Sequence, residues 1–361
     1  MKVRQSDIAA ALGISRTTVA RALNASGYVD EETRKKIFEL SNDIQYRKNL
    51  FASSLALKNN LNIHCAYVKT YNNSFVRSME AGFKAAEMQF ASYGLNFSFS
   101  SASSEAPLDQ IRDLSALDID KLDALIVMPL LEHEVSPIVS RMTEKGIPVI
   151  TLVMDLPESG RFAFVGSDNY KGGRIAAELY AKLLDGKGRI LAFSTDYKYA
   201  MPTDRFRGFL DKISQYPDIS LEGPVSVGAF REMYDHTRAY LAGGTPLDAI
   251  YTVTDLSYPA RALYDYDTET KNGGKLKRLK LIAMDDDEPT REFLSMGYID
   301  AIVGQRPFIQ GYIAMKLMTE ALLHKHKKPQ AAPPIEYDIL LNENLSQFDN
   351  AAYFETIFRS L

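Results

Sequence analysis

Ser6-Asp7-Ile8-Ala9-Ala10-Ala11-Leu12-Gly13-Ile14-Ser15-Arg16-Thr17-Thr18-Val19-Ala20-Arg21-Ala22-Leu23-Asn24 opens the chain almost at its first residue. The stretch reads as two short helices joined by a tight turn. Ser6 is the expected cap of the first helix, with Asp7 well placed in its first turn. Ile8 and Leu12 share a face at helical spacing, and the alanines between them allow close packing. Gly13 suits the left-handed position that ends a helix. Ser15 is expected to cap the second helix, whose Val19 and Leu23 turn inward. Arg16, Thr17, Ala20 and Arg21 are left on the outer face. A third helix follows, capped by Asp30, with Glu31 and Glu32 in its first turn and Ile37, Leu40 and Ile44 as its stripe. Three such helices can share one small core, with the second presenting its first turn to a DNA groove. Helical hairpins of this shape also occur in proteins that never touch DNA, and spacing alone does not separate the two readings.

Charge favours the DNA reading. Residues 1–58 carry ten Lys or Arg against six Asp or Glu, a balance of +4 in a chain of net −4, so the remainder carries −8. A basic head on an acidic body suits phosphate contact by the head alone. The 361 residues are 46% hydrophobic and 24% charged, a globular composition with length for two or three domains. No apolar run is long enough to cross a bilayer, so no membrane contact is expected. The helix signal starts too near Met1 to leave room for a secretory leader, and a cytoplasmic location is expected. Cys65, the single cysteine, lies in an apolar run and reads as core. His64, His133, His236, His324 and His326 are scattered, so neither a metal site nor a cofactor is expected.

Residues 46–58 could form a short helix, one too short to be stable in water without partner contacts. From residue 62 the pattern changes to strands alternating with helices. The expected strands are 63–68, 96–99, 124–128 and 149–154, then, beyond a link at 162–165, 189–193, 224–227, 249–253, 281–284 and 301–303. Helical stretches fall between them, near 75–93, 108–117, 134–145, 171–184, 203–214, 231–241, 258–264 and 289–295. A long helix at 308–324 and a late strand at 335–341 close the body. The alternation argues for an α/β fold: a three-helix helix-turn-helix head followed by a two-lobed, doubly wound parallel-sheet body. The expected domains are a head at 1–45, a hinge and linker at 46–60, a body at 61–341 and a tail at 342–361. Within the body, one lobe is expected to hold about 61–168 plus 302–330, the other about 169–301 plus 331–341. The tail carries an apolar helical stripe expected to pack on its own body rather than make a tetramer contact.

Ligands in open α/β sheets bind outside the carboxyl ends of the strands. That rule selects Asn72, Asn73 and Phe75; Asp155; Tyr197 and Tyr199; Thr254 and Asp255; Asp285 to Asp287; and Gln305 with Arg306. Carboxylates, amides and aromatic rings together suit hydroxyl-rich ligands such as sugars. Asp287, just before Pro289, reads instead as a helix cap. An enzyme is not expected: there is no G-x-S-x-G, no GxxxxGK[ST] and no GxGxxG after the first strand. Carboxylates in a cleft could serve a glycosidase, but nothing singles out an acid and base pair, so no catalytic residue is expected.

Several motifs then carry a resemblance. In the head they are Asp7-Ile8-Ala9 with Gly13-Ile14-Ser15, Thr18 to Asn24, and Val29-Asp30-Glu31-Glu32-Thr33-Arg34. In the body they are Val165-Gly166-Ser167-Asp168-Asn169 before Gly172-Gly173, Arg205-Phe206-Arg207-Gly208-Phe209, and Val303-Gly304-Gln305-Arg306-Pro307 with Gly311. The head resembles the lactose-repressor (LacI/GalR) family of bacterial regulators. The body resembles the type I periplasmic sugar-binding proteins, and the likeness runs to about Leu341.

The resemblance implies a homodimer, possibly a tetramer, on a roughly palindromic double-stranded operator. It implies repression controlled by a sugar-like effector held between the lobes. Arg16 and Thr17 take the main base-reading positions and Arg21 a further one; an arginine can bond two acceptors of guanine at once. Ser15, Thr18 and Asn24 take phosphate-positioning places, and Leu55 the place of a leucine wedged into the minor groove. Asn73, Phe75, Asp155, Arg205, Asp285 and Gln305 fall on effector positions. The chain departs from the family at Lys48, where proline is usual, and near Leu50 and Ser53, where arginine is frequent. Ala20 replaces a common serine, and Thr254, beside Asp255, replaces a frequent asparagine. A regulator that needs a corepressor or a protein partner is compatible with the same residues, as is a cytoplasmic sugar-binding protein.

Overall fold

The computed structural model describes residues 5–23, 28–43, 60–69, 73–195, 200–324 and 331–348. Expectations for Asn24, Ile44, the hinge segment with Leu55, Asn72, Tyr197, Tyr199 and the stripe in the tail beyond residue 348 lie outside the described residues.

The head holds α1 (Gln5–Leu12), α2 (Arg16–Leu23) and α3 (Glu31–Asp43). Gly13, at φ 63°, makes the left-handed exit from α1. Ser15 caps α2, its Oγ accepting the Thr18 amide at 3.0 Å, and Asp30 caps α3, its Oδ1 accepting the Thr33 amide at 2.9 Å. Ser6 is not a cap: α1 already begins at Gln5, and the Ser6 hydroxyl meets Asp7 Oδ1 at 3.3 Å within the first turn. Ile8, Val19 and Ile37, one from each helix, are fully buried against one another, with Leu12, Leu23 and Leu40 half-buried around them. These apolar contacts hold the three short helices together, since none is long enough to stand alone in water.

The first lobe is built from β1 (Leu61–Lys69), α4 (Asn73–Phe90), β2 (Leu95–Ser103), α5 (Pro107–Ser115), β3 (Ala124–Val127), α6 (Glu132–Glu144), β4 (Val149–Leu152) and β5 (Ala163–Val165). Its five strands run parallel in the order β2-β1-β3-β4-β5. β3 and β4 are buried along their whole length, as unbroken apolar runs between two helical layers should be. The stretch expected as a link at 162–165 supplies the edge strand β5.

The second lobe follows with α7 (Asn169–Leu183), β6 (Lys187–Thr195), α8 (Ala200–Ile213), β7 (Asp218–Val227), α9 (Phe230–Ala242), β8 (Ala249–Thr252), α10 (Ser257–Glu269), β9 (Lys280–Ala283), α11 (Glu288–Met296) and β10 (Ala301–Gly304). α12 (Pro307–His324) and β11 (Asp338–Leu340) complete the order. This sheet has six strands, β11-β10-β9-β8-β6-β7, parallel except where β11 pairs antiparallel with β10.

β10 corrects the expected lobe boundary. It pairs with β9 in the second sheet, so the chain returns to the first lobe after Gly304 rather than at residue 302. α12 then buries Phe308, Tyr312, Met315 and Met318 in the first lobe's core. Ile335 also packs in that core and bridges to Ser167, so the third crossing lies between Ile335 and Asp338. Among the described residues, no helix is long and apolar enough to cross a membrane, and no three side chains are placed to hold a metal ion.

Candidate functional site

α2 presents Arg16, Thr17 and Arg21 to solvent, with Thr18 half-buried behind them. Val19 and Ala22 tie its opposite face to α1 and α3, which fixes the outward direction of the arginines. Ser15 and Thr18 meet through their hydroxyls at 2.8 Å, so the two expected phosphate-positioning residues form one local unit at the helix start.

In the body, the strand order reverses between β1 and β3 and again between β6 and β8, and the ends of both sheets face a cleft between the lobes. Two cavities lie along it. The first, of about 350 Å³, is lined by Phe75 and Ser78 of α4, by Asp285 to Asp287 after β9, and by Gln305 and Arg306 after β10. The second, of about 520 Å³, is lined by Met154 and Asp155 after β4, by Ser167 and Asp168 at the first crossing, and by Asn169 and Asp204 of the second lobe. Phe75, Asp285 and Gln305 therefore come together, Asp155 stands apart from them, and Arg205, Thr254 and Asp255 line neither cavity. Asn73 opens α4; its side chain is outside the described set.

Hydrogen bonds show what each group has left to offer. Gln305 Nε2 donates to Asp285 Oδ1 at 2.6 Å and to the Met284 carbonyl at 3.4 Å. Asp155 accepts Arg161 through both oxygens, together with Thr151 Oγ1 at 2.9 Å and the Leu156 amide at 2.7 Å. It braces its own loop as well as lining the cavity. Thr254 is buried, and its Oγ1 lies 3.2 Å from Thr252 Oγ1. Asp287 caps α11, accepting the Thr290 amide at 2.8 Å, as its place before Pro289 implied.

Arg205 is 1% exposed. Its Nη1 donates to the Val253 carbonyl at 2.7 Å and its Nη2 to Asn169 Oδ1 at 3.0 Å, while Nε has no partner among the described residues. Two glycine contacts set it there. A Cβ on Gly173 of α7 would lie 1.9 Å from the Arg205 carbonyl, and one on Gly208 of α8 would lie 2.0 Å from the Tyr170 carbonyl. Only glycine lets the two backbones approach this closely.

Asp255 is half-buried. Burial pushes its carboxyl up to about 6, the negative charges of Asp287 and Asp285 push the same way, and the Ser257 amide, at 2.9 Å, opposes them. Cys65 is fully buried and its thiol is raised well above its ordinary value, consistent with a core role.

Sequence reasoning missed the Arg306–Asp338 and Arg291–Asp286 ion pairs and the Asn169 partner of Arg205. Asn169 lies in a quoted motif beside Asp168, whose Oδ1 caps α7 by accepting the Lys171 amide at 3.0 Å, and that motif is the available signal. Asp338 had none, because it reaches Arg306 only through the β10/β11 pairing.

Two known families match stretches of this chain. The family described as "Periplasmic binding protein domain" matches residues 67–326, and "Bacterial regulatory proteins, lacI family" matches residues 6–49. "Probable HTH-type transcriptional repressor ExuR" of Bacillus subtilis (strain 168) is 26% identical over 213 residues, covering 58% of this chain and 60% of that protein. "Sucrose operon repressor" of Pediococcus pentosaceus is 27% identical over 179 residues, covering 49% of this chain and 51% of that protein. The matched region thus spans between about half and 60% of the length of these relatives. Among solved structures, GanP, a glucose-galactose binding protein from Geobacillus stearothermophilus, superposes with a TM-score of 0.65 at 26% identity, covering 79% of this chain and 99% of that chain.

Proposed function

We propose a function from one premise: the chain belongs to the family of periplasmic-binding-protein domains and carries a head of the lacI regulatory family. The function is repression of transcription, in which a sugar-like effector held between the lobes controls the affinity of the head for operator DNA. The observation that carries it is the presence in one chain of an exposed Arg16-Thr17-Arg21 face on a capped helix and a polar interlobe cleft at the strand ends. Arg16, Thr17 and Arg21 read base edges, while Ser15, Thr18 and Asn24 set the register on phosphates. Leu55 wedges the minor groove at the centre of a two-fold site, which requires two copies of the chain. The effector contacts come from Asn73, Phe75, Asp155, Asp285 and Gln305, whereas Arg205, Thr254 and Asp255 line neither cavity and act through the residues packed on them.

The coupling needs a ligand with unequal affinity for two arrangements of the lobes. Three crossings join the lobes, and Gln310 Nε2 ties two of them, donating to the Gln305 carbonyl at 2.7 Å and lying 3.4 Å from Ser167 Oγ. Sequencing of DNA selected by the purified chain, with and without sugars, tests the function. A palindromic motif lost with a sugar is the expected result. A motif gained only with a compound would make the chain corepressor-dependent. Absence of any motif would leave a sugar-binding protein without DNA recognition.

A further inference from the structure

The cleft is acidic on both sides of the lobe crossings. The first cavity is lined by five carboxylates against three guanidinium groups. The second is lined by four carboxylates and, among the described residues, by no lysine or arginine, although Arg161 pairs with Asp155 and Arg207 with Asp204 from outside the lining. The arginines of the first cavity are also engaged. Arg291 clasps Asp286 with both arms of its fork, one of them at 2.8 Å, and Arg306 clasps Asp338 in the same way, one arm at 2.7 Å. Arg205, behind the second cavity, is covered by protein and spends both terminal nitrogens on Val253 and Asn169.

Resting on the reading of this cleft as the effector site, we propose that the effector is an uncharged polyhydroxyl compound, and that sugar phosphates and sugar acids are rejected. An anionic group gripped by Arg291 or Arg306 would displace an aspartate into the same confined space, leaving a partly buried carboxylate without its cation. Repulsion acts over the cleft as well, because carboxylates outnumber guanidinium groups in both linings and low-dielectric walls focus the field of that excess. On the opposing side stand Arg77, exposed and donating to Ser74 Oγ at 3.2 Å, and the first turn of α4. Arg77 acts from the solvated rim, where salt screens it, and the partial charge of the α4 first turn is smaller than the carboxylate excess it faces. A neutral sugar meets none of this cost. Its hydroxyls donate to carboxylates, and its apolar face can lie on Phe75 or Phe308. A cavity of about 350 Å³ is of the size that such ligands fill.

Calorimetric titration of the full chain at physiological salt tests the proposal. One panel holds D-glucose, D-galactose, D-ribose, sucrose and myo-inositol; the other holds glucose 6-phosphate, ribose 5-phosphate, glucuronate and galacturonate. The expected result is binding of a neutral compound, with its phosphate or acid about tenfold weaker or worse, and a gap that narrows at high salt or in Asp286→Asn. An anionic compound binding as tightly as its neutral parent, or more tightly, would overturn the charge argument while leaving the effector reading intact. Binding by neither panel would overturn the effector reading, and this inference with it.

Discussion

Arg16 stands exposed at the start of a helix whose other face is locked into the head core. Arg16→Ala is expected to relax base preference at one position per half-site, at a cost of about 1–3 kcal/mol, read by selection sequencing and competition binding. An unchanged preference would remove Arg16 from the base-reading set. Asp255 supplies a pH signature. Its carboxyl is raised from 3.8 to about 6, so the folded chain holds a proton that the unfolded chain releases. Its contribution to stability is therefore present below pH 4 and is lost as pH rises through about 6. Asp255→Asn keeps an acceptor for the Ser257 amide and is expected to raise the melting temperature at pH 7.5 while leaving it unchanged near pH 4. Equal effects at both pH values would refute the buried-charge explanation. At this scale the sequence was legible where the chemistry is local. Ser15, Asp30 and Asp287 each cap the helix that follows them. Ser6 misled because α1 starts one residue earlier. The Arg306–Asp338 pair was invisible because 32 residues separate its partners.

Elements position these side chains through close packing. α7 and α8 touch through Gly173 and Gly208, and that contact seats Arg205 under Asn169. Gly173→Ala forces a Cβ against a backbone carbonyl and is expected to destabilise the fold by about 1–3 kcal/mol, or more if the helices cannot separate. Urea unfolding measures this, and a stability equal to that of the parent chain would contradict the close approach. In the head, Asp30 accepts the Thr33 amide, and bonds from Thr33 hold its carboxyl below the usual range. Asp30→Ala should therefore lower the unfolding midpoint of the head, while Asp30→Asn, which can still cap, should largely keep it. Strand positions were readable because buried parallel strands are continuous apolar runs. Sheet membership was not. β10 looked like the opening of the returning segment, but its partner β9 places it in the second sheet, and β5 is too short to stand out from a link.

At the scale of the molecule, three crossings join the two lobes, and the proposed function requires that the body adopt more than one arrangement and that the head read out which one is favoured. The proposed function assigns Leu55, in the segment between head and body, to that readout. Leu55→Ala is expected to weaken binding to the selected operator far more than binding to unrelated DNA, and equal losses on both would remove the wedge. The two-lobed architecture followed from strand–helix alternation together with the length of the body, whereas the boundary after Gly304 depended on pairings between distant segments. The central claim is that cleft and head share one equilibrium. Linkage then requires an effector to change operator affinity by the same factor as the operator changes effector affinity. The most direct test is to titrate the selected operator into the full chain with and without a saturating cleft-binding sugar, and to titrate that sugar with and without operator. The account predicts equal and substantial factors in the two directions. A sugar that binds the cleft and leaves operator affinity unchanged would contradict it.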